Sequence, residues 1–203
     1  DGEGLAGYVP GEQPRDEGWV KLNTNENPYP ASPKVLEAIG RAAQGRLNLY
    51  PDPLGLAFCK SAAKLFDVDP EWIIPGNGSD EILTILLRTF VDPGEKIAYP
   101  YPSYVLYKPL AEIQGAESEQ VRFEPDWTLP DAFAAASDNL RLAFLPNPNS
   151  PSGTLLAPGE VAAIADALEC PLLVDEAYVD FAESNCLDLV RTNERVLVSR
   201  TLS

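Results

Sequence analysis

The segment Leu172-Leu173-Val174-Asp175-Glu176-Ala177-Tyr178 decides the fold class, because an acidic pair directly follows a short, fully apolar strand. Apolar strands without alternating polar residues are typical of parallel sheets that helices cover on both faces. A carboxylate at the end of such a strand is costly unless it has a partner. Ligands of parallel α/β sheets bind at the carboxyl ends of the strands, so we expect the functional residues there.

Short apolar runs and stretches of helical spacing alternate on both sides of this segment. The predicted strands are Trp72–Ile74, Lys96–Tyr99, Glu117–Phe123, Arg141–Leu145, Leu172–Val174 and Val196–Ser199. The predicted helices between them span about residues 79–91, 103–114, 130–136, 158–169 and 186–192. This alternation predicts an α/β fold of three layers, with a mostly parallel sheet between two layers of helices.

The N-terminal part of the chain has a different pattern. Residues 1–30 are rich in Gly, Pro, Asn and charge, which predicts an extended arm. A helix is predicted from Ser32 to about Gly45, with Ser32 as the N-cap and Pro33 in the first turn. The helical spacing of apolar residues between Leu54 and Leu65 predicts a second, amphipathic helix.

The composition excludes several classes of function. The 203 residues carry 15 Lys and Arg against 31 Asp and Glu, and the net charge of −16 argues against nucleic-acid or anionic-membrane partners. The absence of His excludes a Ser-His-Asp triad and a histidine zinc helix. Cys59, Cys170 and Cys186 are too scattered for a zinc site or a disulfide framework, so we expect reduced, buried thiols and no metal. Neither a signal peptide nor an apolar run of about 20 residues is present, and we expect a cytoplasmic protein.

A glycine-rich turn follows the first predicted strand. The residues Gly76-Asn77-Gly78-Ser79-Asp80-Glu81 lead into an apolar helix, where free N–H groups and the helix dipole favour an anion. The turn is neither a Walker loop nor a dinucleotide-binding fingerprint. It either binds phosphate through backbone amides, or Ser79 caps the helix while Asp80 and Glu81 satisfy its dipole.

The other strand ends carry an aromatic run, an amide-rich turn, an acid with a phenol, and a hydroxyl pair beside an arginine. These segments are Tyr101–Tyr107, Asn147–Gly153, Asp175 with Tyr178, and Ser199–Thr201. The first three also have structural alternatives, namely core aromatics, a plain turn, and a capping Asp with a packing Tyr. Together the segments describe a site for a phosphorylated, cationic aromatic ring with a hydroxyl, which is the chemistry of pyridoxal phosphate.

Segments spread over nearly the whole chain carry a family resemblance. They are Leu22–Tyr29, Tyr50–Pro53, Gly76–Glu81, Pro102–Tyr104, Asn147–Gly153, Asp175–Tyr178 and Ser199–Ser203. In order and spacing they resemble the fold-type I pyridoxal-phosphate-dependent aminotransferases, and among these the histidinol-phosphate aminotransferases. The resemblance implies the cofactor-binding large domain of that fold over residues 46–203, incomplete within this sequence. It implies an N-terminal arm and the first part of the small domain over residues 1–45.

The resemblance also implies a role for individual side chains. Asp175 would pair with the pyridine nitrogen and keep it protonated, Tyr178 would bond the ring hydroxyl, and Tyr104 would stack on the ring. The family's ring-oxygen asparagine falls at Ser150, so Asn149 and Ser150 both stay open for that contact. The residues implied at the cofactor phosphate are Gly78, Ser79, Asp80, Glu81, Thr201 and Ser203.

Two further implications concern a neighbouring subunit and the catalytic lysine. Tyr50 would reach the cofactor phosphate of a partner subunit, and Tyr8 and Asn25 would lie near the substrate, which implies a C2 homodimer. The family's lysine directly follows the serine that matches Ser203, the last residue of this sequence. We therefore expect a chain trimmed at both ends, with the catalytic lysine immediately after Ser203.

The activity implied by the resemblance is transamination between histidinol phosphate and 2-oxoglutarate, a step of histidine biosynthesis. A different enzyme of the same fold is an alternative, either an aromatic aminotransferase or a threonine-phosphate decarboxylase. A truncated, non-catalytic fragment that binds phosphate compounds is a third possibility, although its sheet would be incomplete.

Overall fold

Among the residues that the structure describes, five parallel strands form the centre of the fold. They are β1 (Lys96–Tyr101), β2 (Glu117–Arg122), β3 (Leu140–Pro146), β4 (Leu172–Asp175) and β5 (Val196–Ser199). The structure is a computed structural model that describes residues 12, 14, 16, 18–135 and 137–203. The strand order is β2-β1-β3-β4-β5, and each pairing is parallel. The carboxyl ends of the strands therefore share one edge of the sheet, as predicted.

The helices begin and end close to their predicted limits. They are α1 (Pro33–Ala43), α2 (Leu56–Phe66), α3 (Ser79–Phe90), α4 (Tyr107–Gln114) and α5 (Pro158–Ala167). The helices predicted at 130–136 and 186–192 are instead short 3-10 helices, at Asp131–Ala134 and Leu187–Arg191. These segments are too short to stabilise an α-helix, because its first turn fixes several residues for a single hydrogen bond.

The strand predicted at Trp72–Ile74 is wrong. Pro70–Trp72 forms a 3-10 helix whose N-cap is Asp69, and the Asp69 carboxylate accepts a hydrogen bond of 2.8 Å from the Glu71 N–H. Proline in a first turn and aspartate at the N-cap both favour a helical start, and these local preferences outweigh the short apolar run. Trp72 and Ile74 are largely exposed within this chain.

Helices cover both faces of the sheet, and β3 shows how the faces are divided. Leu142 and Phe144 belong to the cluster that includes α3 and α4, whereas Ala143 and Leu145 belong to the cluster that includes α5. All four side chains are at most 1% exposed. Alternate side chains of a strand point to opposite faces, so a strand that is apolar throughout needs a helix layer on each side. The predicted three-layer fold is confirmed.

By its internal contacts the chain divides into two compact units. The first contains Asn77–Leu202, and thus the sheet with α3, α4 and α5. The second contains the described residues up to Gly76, with α1 and α2, together with Ser203. This division rests on contacts within one chain, so the domain boundary between residues 45 and 46 stays a prediction. No helix in the described part of the chain is both long and apolar enough to span a bilayer.

The three cysteines are free and buried, as predicted. Burial raises the pKa of the Cys170 thiol, and it raises the pKa of Cys186 to about 11. At pH 8 roughly one Cys186 thiol in a thousand is then the reactive thiolate. We expect iodoacetamide at pH 8 to leave Cys170 and Cys186 unmodified in the folded protein and to modify both in urea. Peptide mass mapping tests this, and rapid labelling without denaturant would contradict it.

Candidate active site

The carboxyl edge of the sheet holds the predicted site residues of the first unit. Asp175 is the last residue of β4, and in the sheet it lies beside Pro146 of β3 and Ser199 of β5. Tyr104 follows β1, and Asn149 follows β3. The parallel order of the strands thus brings to one edge residues that are far apart in sequence.

Asp175 is the buried acid of this edge, with 5% of its surface exposed. Its Oδ2 accepts a hydrogen bond of 2.8 Å from the Tyr107 hydroxyl, and its Oδ1 accepts one of 3.0 Å from Ser199 Oγ. Burial raises the pKa of Asp175, and the bonds from Tyr107 and Ser199 oppose the rise. A buried carboxylate with fixed oxygens and a raised pKa is best stabilised by a cationic partner.

Tyr107 ends the aromatic segment Tyr101–Tyr107, but the sequence reasoning gave it no role of its own at the site. It is fully buried as the first residue of α4, and its ring stacks on Phe144 with 4.9 Å between centroids and 9° between planes. Its ring also meets Tyr104 edge-on at 5.6 Å. Burial, followed by the charge of Asp175, raises the pKa of Tyr107 far above its usual value, so it stays a neutral donor. In the helix predicted from residue 103, Tyr104 and Tyr107 are one helical turn apart, and this spacing is the sequence signal that could have indicated the contact between their rings.

The glycine-rich turn begins α3 with Gly78 as the N-cap, in place of Ser79. Glycine has no side chain, so the N-cap position supplies no acceptor to the N–H groups of the first turn. Both acidic side chains bond to protein groups instead. Glu81 accepts from the backbone and side-chain N–H groups of Asn77, and Asp80 accepts from the Tyr104 hydroxyl at 2.9 Å. This geometry is compatible with an anion at the backbone amides.

Asn149 and Ser150 occupy the turn after β3. Asn149 is 3% exposed, and its Nδ2 donates to the Pro102 carbonyl at 3.2 Å and to Ser152 Oγ at 2.8 Å. The buried Oδ1 of Asn149 has no hydrogen-bond partner, which is rare for a buried polar atom. Ser150 is half-buried. The free Oδ1 can accept a hydrogen bond from a ligand hydroxyl, whereas Nδ2 already donates to two protein acceptors, and the choice between Asn149 and Ser150 stays a prediction.

The remaining predicted residues lie in three places. Tyr178 and Thr201 are half-buried in the first unit, shortly after β4 and β5. Three others belong to the second unit: Asn25, Tyr50 and Ser203, of which Tyr50 is fully exposed within this chain. Tyr8 lies outside the described residues. The roles assigned to all six stay predictions. Among the described residues, no cluster of three His, Cys, Asp or Glu could hold a metal ion.

Comparison with known proteins places this chain in a family. The sequence profile of the aminotransferase class I and II family matches residues 17–203, which include the glycine-rich turn before α3, the acidic residues at the end of β4 and all five strands. The chain belongs to this family. The resemblance drawn from the motifs is therefore confirmed, and the parallel sheet is that of the fold-type I aminotransferases.

The curated relatives that this aminotransferase chain matches include several histidinol-phosphate aminotransferases. The histidinol-phosphate aminotransferase of Rhodopirellula baltica is 55% identical over 97% of this chain and 54% of its own length. That of Syntrophotalea carbinolica is 48% identical over 98% of this chain and 57% of its own length. The chain thus spans about half the length of the curated relatives that it matches.

Solved structures share the fold of this aminotransferase chain. Histidinol-phosphate aminotransferase from Sinorhizobium meliloti, in complex with pyridoxal 5′-phosphate, superposes with a TM-score of 0.76 at 27% identity, over 85% of this chain and 48% of that one. N-succinyldiaminopimelate aminotransferase from Mycobacterium tuberculosis gives 0.71 at 27% identity, over 84% of this chain and 50% of that one. One fold therefore serves different amino donors, and the fold alone does not select the substrate.

Proposed function

We propose that this protein transfers an amino group between histidinol phosphate and 2-oxoglutarate, with pyridoxal phosphate as its cofactor. The observation that carries the chemistry is the buried, doubly hydrogen-bonded Asp175 at the carboxyl edge of the sheet. Support for the substrate comes from curated relatives named histidinol-phosphate aminotransferase, which are 46–55% identical over nearly the whole chain.

The residues at the sheet edge fit the ring of pyridoxal phosphate. When bound, the cofactor supplies an electron sink for charge that develops on the substrate carbon bearing the amino group. Asp175 holds a proton on the ring nitrogen, and that positive charge offsets the cost of burying its carboxylate. Tyr178 donates to the ring oxygen, and either Asn149 or Ser150 makes a second hydrogen bond with the ring hydroxyl group. Tyr104 covers the ring and excludes water.

The first turn of α3 and the segment after β5 fit the cofactor phosphate. Backbone N–H groups of Ser79, Asp80 and Glu81 point toward the N-terminal end of α3, where the helix dipole favours an anion. The hydroxyls of Thr201 and Ser203 add donors. The lysine that the family resemblance implies after Ser203 would carry the cofactor and would act as the base at the substrate carbon.

A symmetric dimer belongs to the same proposal. Tyr50 of one subunit would contact the cofactor phosphate of the other, and Tyr8 and Asn25 would lie near the substrate. The full exposure of Tyr50 within this chain is compatible with that role. The proposal places the enzyme in the cytoplasm, with the arm and small-domain part at 1–45 and the cofactor-binding domain at 46–203.

The proposal is tested by assaying the full-length protein with histidinol phosphate and 2-oxoglutarate. We expect glutamate to form only when both are present, with added pyridoxal phosphate restoring the activity of stripped protein. Aromatic amino acids and O-phosphothreonine are the comparison substrates. Turnover of either one without turnover of histidinol phosphate would contradict the proposed substrate and support the corresponding alternative enzyme.

Gly78 offers a test of the turn before α3. Its φ is +82°, a conformation that L side chains rarely adopt, whereas among the described residues no heavy atom beyond its two chain neighbours lies within 4 Å of an added Cβ. We expect Gly78→Ala to lower the free energy of unfolding by about 1–2 kcal/mol through backbone strain alone.

Gly159 in α5 is the matched control, because its surroundings are equally open and its φ is ordinary. Gly159→Ala should be neutral or stabilising by up to about 1 kcal/mol. Urea unfolding of both variants makes the comparison, and equal losses would refute the strain at Gly78.

A further inference from the structure

Glu176 is a buried carboxylate that does not contact the proposed cofactor site. The residue is 1% exposed, although it directly follows Asp175 at the end of β4. Its Oε2 accepts a hydrogen bond from Arg200 Nε at 2.9 Å, and the same oxygen lies 2.8 Å from Arg200 Nη2 in an ion pair. Its Oε1 accepts from the backbone N–H of Cys186. A buried ion is costly to place, and these contacts offset that cost.

The contacts of Glu176 join the ends of two neighbouring strands. The Glu176 N–H donates to the Ser199 carbonyl at 2.9 Å, which extends the β4–β5 ladder past Asp175. Arg200 is the first residue after β5, and Thr201 follows it directly. The ion pair therefore clamps the point at which the chain leaves the sheet toward the proposed phosphate-binding hydroxyls.

Asp175 and Glu176 face different layers of the fold. Asp175 bonds to Tyr107, which packs in the cluster of α3 and α4, whereas Glu176 bonds to Cys186, which packs in the cluster of α5. Consecutive residues of an extended chain point to opposite faces, which explains the division. Glu176 therefore acts on the cofactor site indirectly, through the backbone and through Arg200.

The two-point contact of Arg200 sets direction as well as distance. Nε and Nη2 of Arg200 both approach Oε2, and the Cys186 N–H donates to Oε1, so both oxygens of the Glu176 carboxylate are held, whereas a lysine ammonium would make a single point contact at Oε2. Buried ion pairs contribute little net stability compared with apolar side chains of the same size. The ion pair therefore fixes the orientation of Glu176 and Arg200, which an apolar pair of the same size could not do.

We propose that the Glu176–Arg200 ion pair is a positioning device that fixes how the chain leaves β5 and thereby places the Thr201 hydroxyl at the cofactor phosphate. This proposal rests on the proposed function, because it takes the phosphate of pyridoxal phosphate as the ligand. Glu176 and Arg200 are positioning residues, and their effect on binding depends on the ligand's phosphate group.

The test compares two ligands that differ only in phosphate. Full-length protein stripped of cofactor is titrated with pyridoxal phosphate and with pyridoxal. The dissociation constant of pyridoxal divided by that of pyridoxal phosphate measures the contribution of the phosphate group to binding. We expect Glu176→Gln to reduce this ratio by about 10-fold, the lower end of the loss seen when outer-shell contacts of bound ions are removed. The ³¹P chemical shift of bound cofactor should change with it, whereas pyridoxal affinity should change less than twofold.

Glu95→Gln is the matched control, because Glu95 pairs with Arg141 at 2.6 Å near the start of β1 and β3, at the opposite edge of the sheet. It should leave the ratio unchanged. Arg200→Lys keeps the charge without the two-point contact, should lower the ratio less than Glu176→Gln does, and decides the question if Glu176→Gln does not fold. An unchanged ratio in the folded variants, or equal weakening of both ligands, would overturn the proposal. If the unsubstituted protein binds no pyridoxal phosphate, the proposed function fails as well.

Discussion

Replacing Asp175 by Asn is expected to lower kcat/KM for transamination by about 1,000-fold in the full-length protein. Breaking a buried ion pair by removing one partner costs about 3–5 kcal/mol, and each 1.36 kcal/mol is tenfold in rate. Asn keeps the size of the side chain and can still bond to Tyr107 and Ser199. The loss therefore reports the missing charge beside the ring nitrogen.

Asp180→Asn is the matched control for this substitution, because Asp180 is exposed and lies five residues further along the chain, in a short 3-10 helix after β4. It should leave kcat/KM within about twofold, as expected for a surface position. Steady-state kinetics with histidinol phosphate and 2-oxoglutarate give both values. A loss below about tenfold for Asp175→Asn would be too small for a charge pair in this site.

Although Asp175→Asn should lower activity, it should raise the stability of the protein when the cofactor is absent. The pKa of Asp175 in the folded protein is raised above its ordinary 3.8 by burial, so the folded state binds this proton more tightly than the unfolded state. Its contribution to stability is fully present below pH 3.8 and is lost as the pH rises through the folded value. Cofactor-free Asp175→Asn should therefore gain stability relative to the unsubstituted protein between pH 3 and pH 7.

Urea unfolding of the cofactor-free forms at several pH values measures this difference. A gain in stability together with a loss of activity is the pattern of a functional residue held at a structural cost. A stability difference that did not change with pH would contradict a raised pKa of Asp175 in the folded protein.

The sequence was sufficient to predict the part of the site that depends on strand ends. The apolar run Leu172–Val174 predicted a buried parallel strand, and a parallel sheet places the residue after each strand at one edge. Asp175 and Asn149 are buried at that edge, as such an arrangement requires. The positions of β3 and β4 were predictable because their buried runs are apolar and end at polar residues, whereas the apolar run Trp72–Ile74 is largely exposed and forms no strand.

The partners of Asp175 were not predictable in the same way. Tyr107 lies 68 residues before it, and their contact depends on the register of the central strands and on where α4 begins. The helix was predicted from residue 103 and begins at Tyr107. The Glu176–Arg200 pair likewise joins residues 24 apart across the β4–β5 ladder. Local sequence patterns specify elements, whereas such contacts arise only once the elements are packed.

Phe144→Ala is expected to cause the largest loss of stability among the substitutions considered, about 3–5 kcal/mol in the free energy of unfolding. Phe144 is fully buried in β3, and its ring is stacked on Tyr107. Truncation removes apolar contacts and leaves a cavity that the rigid sheet cannot close. Phe181→Ala is the matched control, because Phe181 is 81% exposed in this chain and its loss should cost less than about 0.5 kcal/mol.

The stack also links the core to the candidate site. Tyr107 holds its hydroxyl 2.8 Å from Asp175, and one face of its ring rests on Phe144. Phe144→Ala should therefore weaken pyridoxal phosphate binding, whereas Phe144→Leu, which fills most of the cavity, should cost less than about 1.5 kcal/mol and retain binding. Urea unfolding and cofactor titration of the full-length variants measure the two effects. Equal losses of stability in Phe144→Ala and Phe181→Ala would contradict the packing, and undiminished binding in folded Phe144→Ala would show that Tyr107 holds Asp175 without support from the ring beneath it.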